Sequence, residues 1–153
     1  MAKKGPSRPR RTKEMLLPLQ AGVVRDISLE NHLALATMRS GHGTSDAMAA
    51  LLRALYMTFY LLEGNHSETE LALFLEVETA LDASIRAAAG EGRDWRLAEE
   101  QLPLIEHVLQ RCDEVVGSVP KYCYVDALDK LSRFVHSAQQ SPLPGSRLGE
   151  MWS

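Results

Sequence analysis

The chain has 153 residues, enough for one domain whose hydrophobic core needs no disulfide or metal to stabilise it. Hydrophobic residues make up 45% and charged residues 24%, which excludes wholesale disorder, and the abundance of leucine and alanine favours helices over strands. The sequence contains no apolar run long enough to span a membrane, and its two cysteines, Cys112 and Cys123, form no CxxC pair or disulfide framework. We therefore expect a cytoplasmic, all-α protein with both cysteines reduced.

The first 13 residues differ from the rest of the chain in charge. They contain no acidic residue and six basic ones, Lys3, Lys4, Arg8, Arg10, Arg11 and Lys13. Because the whole chain carries a formal charge of -3, residues 14–153 carry -9. Proline and glycine separate the basic residues, and the apolar stretch that follows is broken by Pro18 and Gly22. We expect residues 1–25 to form a flexible basic arm and an extended link, or a short helical turn, ahead of the folded domain.

Two amphipathic segments follow this link. The first is expected to begin near Ser28, a suitable N-cap, and to end near Ser40, before the helix-terminating run Gly41-His42-Gly43. The pair Thr44-Ser45 then supplies the N-cap of a second helix, which ends before Gly64. Its apolar residues recur at steps of three and four and predict a buried face of Met48, Leu51, Leu52, Leu55, Tyr56, Phe59 and Leu62.

A third helix is predicted from its start and stop signals. Ser67 and Glu70 form a capping box ahead of an apolar run that continues to Ala89 and stops at Gly90. Glu78 falls in the middle of the predicted buried face. A carboxylate at such a position must find a partner, ionise with difficulty or mark a place where the bundle opens to water, and a structural ion pair or a wet edge is favoured over a functional site.

Two further helices complete the predicted fold. Asp94 caps the fourth helix, which extends to Gly117 and which Pro103 is expected to kink or divide. Ser118 and Pro120 start the fifth helix, because proline is tolerated in a first turn. The inner face of the fifth helix is predicted to contain Tyr124, Ala127, Leu128, Leu131, Phe134 and Val135.

The predicted domain is an up-and-down bundle of about five helices over residues 26–140. The loops are short, so successive helices are expected to be antiparallel neighbours. From Ser141 onward the prolines and the glycine preclude a helix, and residues 141–153 are expected to form a flexible, proline-containing tail.

The sequence contains no pattern that identifies a catalytic, cofactor-binding or metal-binding residue. Glu63 and His66 have the spacing of a metal site in a helical bundle, but the glycine between them should end the helix. Cys112 and Cys123 fall on or near apolar helix faces, where a thiol usually acts as a small hydrophobic group. The loop Ser40–Asp46 has glycines and hydroxyls suited to an anion, but it matches no phosphate-binding motif, and a plain turn with a good N-cap is favoured.

Aromatic residues outside the predicted buried faces indicate an interaction surface. Tyr60 and Tyr122 lie off the main apolar faces of their helices, and a surplus of apolar surface on a short bundle is typical of a dimer or partner interface. Trp152 in the tail is a candidate for a second anchor of this kind. The sequence therefore predicts self-association or a protein partner.

The basic run Arg8-Pro9-Arg10-Arg11, the proline-broken apolar link and the leucine- and alanine-rich helices together suggest a known class of protein. In this layout the chain resembles the small uncharacterised helical proteins carried by phages, plasmids and genomic islands of proteobacteria. The resemblance rests on the general organisation and implies an accessory protein of a mobile element. It assigns no functional residue.

Three hypotheses for the function follow. The first is a non-enzymatic regulatory or accessory protein that acts through its helical surfaces, with a basic arm that contacts nucleic acid or an acidic partner. The alternative is a protein-binding inhibitor or adaptor of a mobile element, which acts through the acidic helical body. The third is an enzyme with a site assembled from dispersed residues such as His42, Glu78 and His107.

Overall fold

The computed structural model describes residues 12–91 and 95–148, and these residues form a helical bundle. Within them lie six α-helices and a short 3-10 helix at Glu99–Gln101. The α-helices are α1 (Lys13–Leu16), α2 (Ala21–Arg39), α3 (Ser45–Leu62), α4 (Glu68–Glu91), α5 (Leu102–Ser118) and α6 (Lys121–Val135). Two isolated β-bridges and no strands occur in the described ranges. The all-α prediction is confirmed, and the five long helices agree with the number expected.

The start of the bundle differs from the prediction. The Thr12 hydroxyl accepts a hydrogen bond from Met15 N and caps α1, so this part of the chain forms the short helical turn that is one of the two predicted alternatives. The helix expected to begin at Ser28 begins instead at Ala21. The reason is tertiary packing: Val24 and Ile27 pack against the core, so the first turns of α2 are stabilised although the sequence offers no side-chain cap there.

The central element of the bundle is α3. It packs against α2, α4, α5 and α6, and it contributes eleven buried residues to the core. Thr44 caps it by accepting a hydrogen bond from Ala47 N at 3.0 Å, as predicted. Its apolar residues are distributed around most of the helix, which is the pattern expected of a helix with neighbours on several sides.

The connection between α4 and α5 also differs from the prediction. Gly90 does not end α4, because it keeps a helical conformation and the helix continues to Glu91. The expected cap Asp94 lies outside the described residues, and Trp95 is extended rather than helical. Pro103 neither kinks nor divides a helix. It occupies the first turn of α5, where its missing N–H costs no hydrogen bond.

The last helix, α6, packs mainly on α3 and α1 rather than on α5, which precedes it in the chain. Only Ala127 of this helix is buried. Leu128 and Val135, which we predicted on the inner face, are 40% and 66% exposed. The expectation that every pair of successive helices would be neighbours is therefore wrong for α5 and α6, because the two-residue connection redirects the chain across α3.

The proline-containing segment after α6 is part of the packed domain as far as residue 148. Leu143 is 4% exposed and belongs to the hydrophobic core. Ser141 and Ser146 donate hydrogen bonds to Glu78 on α4. The prediction of a flexible tail over 141–153 is therefore wrong for residues 141–148, since hydrogen bonds and burial hold this segment without any helical structure.

Among the described helices, none combines the length and the apolar composition needed to cross a bilayer.

Candidate functional sites around helix α6

The outward face of α6 exposes an apolar stripe. Val125 is 41% exposed, Leu128 is 40% exposed and Val135 is 66% exposed, and Ser132 lies between the last two. Their spacing of three, four and three residues places these four side chains on one side of the helix, as at the contact positions of a coiled coil. Such a stripe is a candidate contact surface for another helix.

The charged residues of α6 divide along its length. Lys121 and Asp126 lie in its first half, whereas Asp129, Lys130 and Arg133 lie in its second half. Arg133 pairs with Asp129 at 2.8 Å and Lys130 pairs with Glu63 on α3. Because α6 carries both acidic and basic side chains, its exposed face lacks the excess of negative charge found on the rest of the body. Two copies of this face therefore do not repel each other.

Neither Tyr60 nor Tyr122, the two predicted interface aromatics among the described residues, lies in this stripe. Tyr60 is half-buried on α3, where its ring lies 5.7 Å from that of Phe59, and burial raises the pKa of its hydroxyl. Tyr122 is half-buried at the start of α6. Trp152 lies outside the described residues. Sequence reasoning missed the stripe of α6 because it assigned Leu128 and Val135 to the core, although their spacing could have indicated it.

Of the six basic residues predicted to contact nucleic acid or an acidic partner, only Lys13 lies within the described residues. It is the first residue of α1 and is exposed. Lys121 forms an ion pair with Glu14 at 2.7 Å and its backbone N–H donates to Leu17 O at 2.7 Å. This pairing lowers the pKa of the Glu14 carboxyl. The residues Lys3, Lys4, Arg8, Arg10 and Arg11 lie outside the described ranges.

A cavity of about 250 Å³ lies between α2 and α6. Asn31 of α2, which sequence reasoning did not single out, is 4% exposed and lines this cavity. Among the described residues, its side chain makes one hydrogen bond, from Nδ2 to the Cys112 sulfur at 3.9 Å. Glu30 and Arg53 form an ion pair that also lines the cavity. The cavity thus combines a weakly bonded buried carboxamide with a neutralised charged pair.

An apolar groove of about 470 Å³ lies on the other side of α6, toward α3. It is lined mainly by apolar side chains, among them Met48, Leu52, Trp95, Leu131 and Phe134. The rings of Phe134 and Tyr56 pack edge to face, with their centroids 5.3 Å apart. This contact separates the groove from the core. The groove is a second surface that suits an apolar side chain of a partner.

Glu78 lies in the core and is 1% exposed. Its carboxylate accepts hydrogen bonds from the hydroxyls of Tyr56 at 2.7 Å, Ser141 at 2.5 Å and Ser146 at 2.5 Å. Glu78 thus has the partners that its position requires, and these are three hydroxyl donors rather than an ion pair or water at a wet edge. Burial and the hydrogen bond to Glu78 raise the pKa of Tyr56, so that the phenol remains a donor. All four polar groups have partners, and this cluster is structural.

The other residues considered for chemistry do not form a reactive arrangement. His42 and His107 are exposed, whereas Glu78 is buried among hydroxyls. Within residues 12–91 and 95–148, no group of three His, Cys, Asp or Glu side chains is placed to hold a metal ion. Both cysteines are free, and burial raises the pKa of the Cys112 thiol, which favours its protonated form.

The loop between α2 and α3 is a tightly packed turn. Gly41 has a φ of 83° and Gly43 pairs with Trp95 in an isolated β-bridge. The N–H of Ala47 is already bound by the Thr44 hydroxyl. Since the Trp95 carbonyl approaches Gly43 closely, an acceptor rather than a donor faces this part of the loop. These contacts favour the plain capped turn over an anion site.

Comparison with known proteins found no matching family model, no similar curated protein and no similar solved structure, so the assignment of function depends on the surfaces described above.

Proposed function

We propose that this chain is a non-enzymatic regulatory or accessory protein that acts through its helical surfaces and forms a homodimer through α6. In this proposal its basic arm contacts nucleic acid or an acidic partner. The observation that carries the proposal is the exposed apolar stripe of α6, formed by Val125, Leu128 and Val135. Free cysteines fit a protein of the reducing cytoplasm.

A second copy of the chain suits this stripe better than an unrelated acidic protein. An antiparallel pairing of two α6 helices sets Val125 of one copy against Val135 of the other, and Leu128 against Ser132. The same pairing brings Asp126 of each helix alongside the second half of its neighbour, which contains Lys130 and Arg133. The apolar contacts therefore favour this arrangement, and the mixed charges of α6 do not oppose it.

The dimer is expected to be weak because α6 has only 15 residues, which is about four turns. An interface of this length belongs at the small end of specific protein interfaces. We expect a monomer–dimer equilibrium with a dissociation constant on the order of 10–100 µM. Polar residues beside the stripe keep the monomer soluble at lower concentration.

Sedimentation velocity over a range of protein concentrations tests the dimer. Val135→Glu introduces a carboxylate at the most exposed position of the stripe, and we expect it to shift the protein to the monomer at all concentrations measured. Leu33→Glu is the matched control, because Leu33 is 55% exposed on α2 and lies outside α6. A wild-type monomer at millimolar concentration, or dissociation caused by Leu33→Glu alone, would contradict the proposal.

The alternative is an inhibitor or adaptor of a mobile element, and the apolar groove between α3 and α6 favours it. In this case a helix of a protein partner places an apolar side chain between Leu52 and Phe134, and the acidic body rather than the arm makes the contacts. A partner that co-purifies with the wild type and with a variant lacking residues 1–11, but not with Leu52→Glu, supports this alternative.

A further inference from the structure

We infer that the cavity between α2 and α6 binds a small uncharged organic molecule that has an apolar body and a primary amide head. This inference goes beyond the proposed function and does not depend on dimer formation. It rests on the size of the cavity, on the incomplete hydrogen bonding of the buried Asn31 side chain and on the charges of the residues that line the cavity.

The cavity is a consequence of the helix packing. Because α6 packs on α3 and α1 rather than on α5, a space remains between α6 and the pair α2 and α5. Its volume of about 250 Å³ is several times the roughly 30 Å³ that a water molecule occupies in the liquid. Side chains from four helices line it, so the space is fixed by the bundle rather than by a loop.

Asn31 supplies the recognition group. A carboxamide that is 4% exposed normally makes strong hydrogen bonds through both its oxygen and its nitrogen. Among the described residues, its side chain has a single bond, to the Cys112 sulfur at 3.9 Å, and a thiol is a weak acceptor. The buried carboxamide therefore retains unused donor and acceptor capacity next to a cavity of molecular size.

The charges around the cavity favour an uncharged head group over an ionic one. Glu30 and Arg53 neutralise each other at the cavity wall, and Asn31 and Cys112 carry no net charge. Burial also raises the pKa of the Cys112 thiol and of the Tyr124 hydroxyl, so both favour their neutral forms. A buried charge would lack a free counter-ion here, whereas a primary amide forms two reciprocal hydrogen bonds with a carboxamide.

The remaining wall is apolar and defines the body of the ligand. Ile27, Ala54, Met57, Val116 and Leu128 line the cavity and present aliphatic or thioether groups. Burial of a ring or a short branched chain against these groups removes apolar surface from water. The ligand class is therefore a compact aromatic or aliphatic primary amide, for which benzamide is a suitable probe.

Two-dimensional ¹H–¹⁵N NMR of the full chain tests this inference with benzamide as the titrant. We expect benzamide to shift the Asn31 side-chain NH₂ signals and the backbone signals of Ala54 and Val116, with a dissociation constant in the millimolar range. Benzoate and benzylamine, which have the same ring and a charged head, should bind at least tenfold more weakly. Triple-resonance experiments on the wild type assign the Asn31 side-chain signals, and their loss in Asn31→Leu checks the assignment.

Two variants distinguish the contribution of the Asn31 carboxamide from non-specific effects of an Asn-to-Leu substitution. Asn31→Leu keeps the side-chain size and removes the amide, and we expect at least a tenfold loss of benzamide affinity. Asn65→Leu is the matched control at an exposed loop position and should bind as the wild type does. If Asn31→Leu does not fold, the wild-type Asn31 signals alone decide the question, because only binding in the cavity shifts them.

The inference is overturned if benzamide leaves the Asn31 signals unchanged up to its solubility limit. It is also overturned if benzoate binds equally well, or if Asn31→Leu retains the wild-type affinity. Repeating the titration with Val135→Glu distinguishes this result from the proposed dimer. We expect Val135→Glu to bind benzamide as the wild type does, because the cavity lies within one chain. Loss of binding in Val135→Glu would contradict a site that is independent of the dimer.

Discussion

At the scale of single residues, Glu78 determines how the end of the chain is held. Its two carboxylate oxygens accept hydrogen bonds from three hydroxyls, and two of these belong to Ser141 and Ser146 in the segment without helical structure. Each of these serine hydroxyls also accepts a backbone N–H two residues further on, from Leu143 and Leu148 respectively. One buried side chain therefore organises two consecutive turns and the placement of Leu143 in the core.

We predict that Glu78→Gln destabilises the protein by about 2 kcal/mol, because hydrogen bonds to a charged acceptor are stronger and the amide nitrogen cannot accept. Urea unfolding followed by circular dichroism measures this change. Trypsin should also cleave the native variant faster after Arg147, which is exposed in the same segment. Glu76→Gln, on the exposed face of α4, serves as the control. Equal effects of the two substitutions would show that the hydroxyl cluster does not hold the segment.

At the scale of elements, the turn between α2 and α3 is fixed by contact with the segment before α5. A Cβ on Gly43 would lie 2.1 Å from the Trp95 carbonyl oxygen and 2.8 Å from the Met38 sulfur. Trp95 itself packs against the core and lines the groove beside α6. The glycine is needed for this close approach of two backbones, and the turn and the groove are therefore coupled.

We expect Gly43→Ala to destabilise the protein by about 2 kcal/mol, because the backbone of Trp95 must move to accommodate the methyl group. Gly22→Ala is the matched control: it lies in the first turn of α2 with no atom within 4 Å of the added Cβ. That change should instead stabilise the helix by about 0.5 kcal/mol. Thermal unfolding of both variants measures the two effects, and the explanation fails if both substitutions shift the melting temperature in the same direction.

Local signals in the sequence predicted the helices and their caps better than they predicted which helices pack against each other. The caps at Thr44 and Ser67 are present as expected, since each depends on atoms three residues away. The early start of α2 and the exposure of Val135 depend on the tertiary packing of the helices. No local sequence pattern predicts either feature. Two of the three donors to Glu78, Ser141 and Ser146, lie 63 and 68 residues away in sequence, so no spacing rule indicates them.

The candidate sites were predictable to different degrees. The basic residues of the arm are evident from composition, and Tyr60, which we predicted to lie off the main apolar face of its helix, is half-buried. Asn31 could have been noticed as a polar residue within the apolar side of its helix. The cavity beside it could not, because it arises from the divergence of α5 and α6, which only the tertiary packing determines.

At the scale of the whole molecule, charge is distributed unequally between the arm and the body. Residues 1–13 carry six basic side chains, whereas the rest of the chain carries a formal charge of -9. A homodimer would carry two such arms, and binding of both to one nucleic acid would raise the effective affinity without any additional contact. The acidic bodies would favour contacts limited to the arms.

We predict that duplex DNA binding by the wild type, if the six basic residues of one arm engage phosphates, falls with salt at a log–log slope of about -5. Replacing these six residues by glutamine should abolish the binding measured by fluorescence anisotropy at low salt. Arg25→Gln and Arg39→Gln, at exposed positions of α2, are the controls for loss of positive charge on the body. Binding that survives the arm substitutions but not these controls would exclude the arm from nucleic-acid contact.

The position of Leu143 has a consequence for synthesis of the protein. Helices α1 to α6 are complete once residue 135 has been added, yet Glu78 still lacks two of its donors and the core lacks one of its apolar side chains. Until residues 141–146 have left the ribosomal exit tunnel, the nascent bundle exposes the Glu78 carboxylate and apolar surface to solvent. Truncation of the chain before Ser141 therefore leaves an incompletely packed domain.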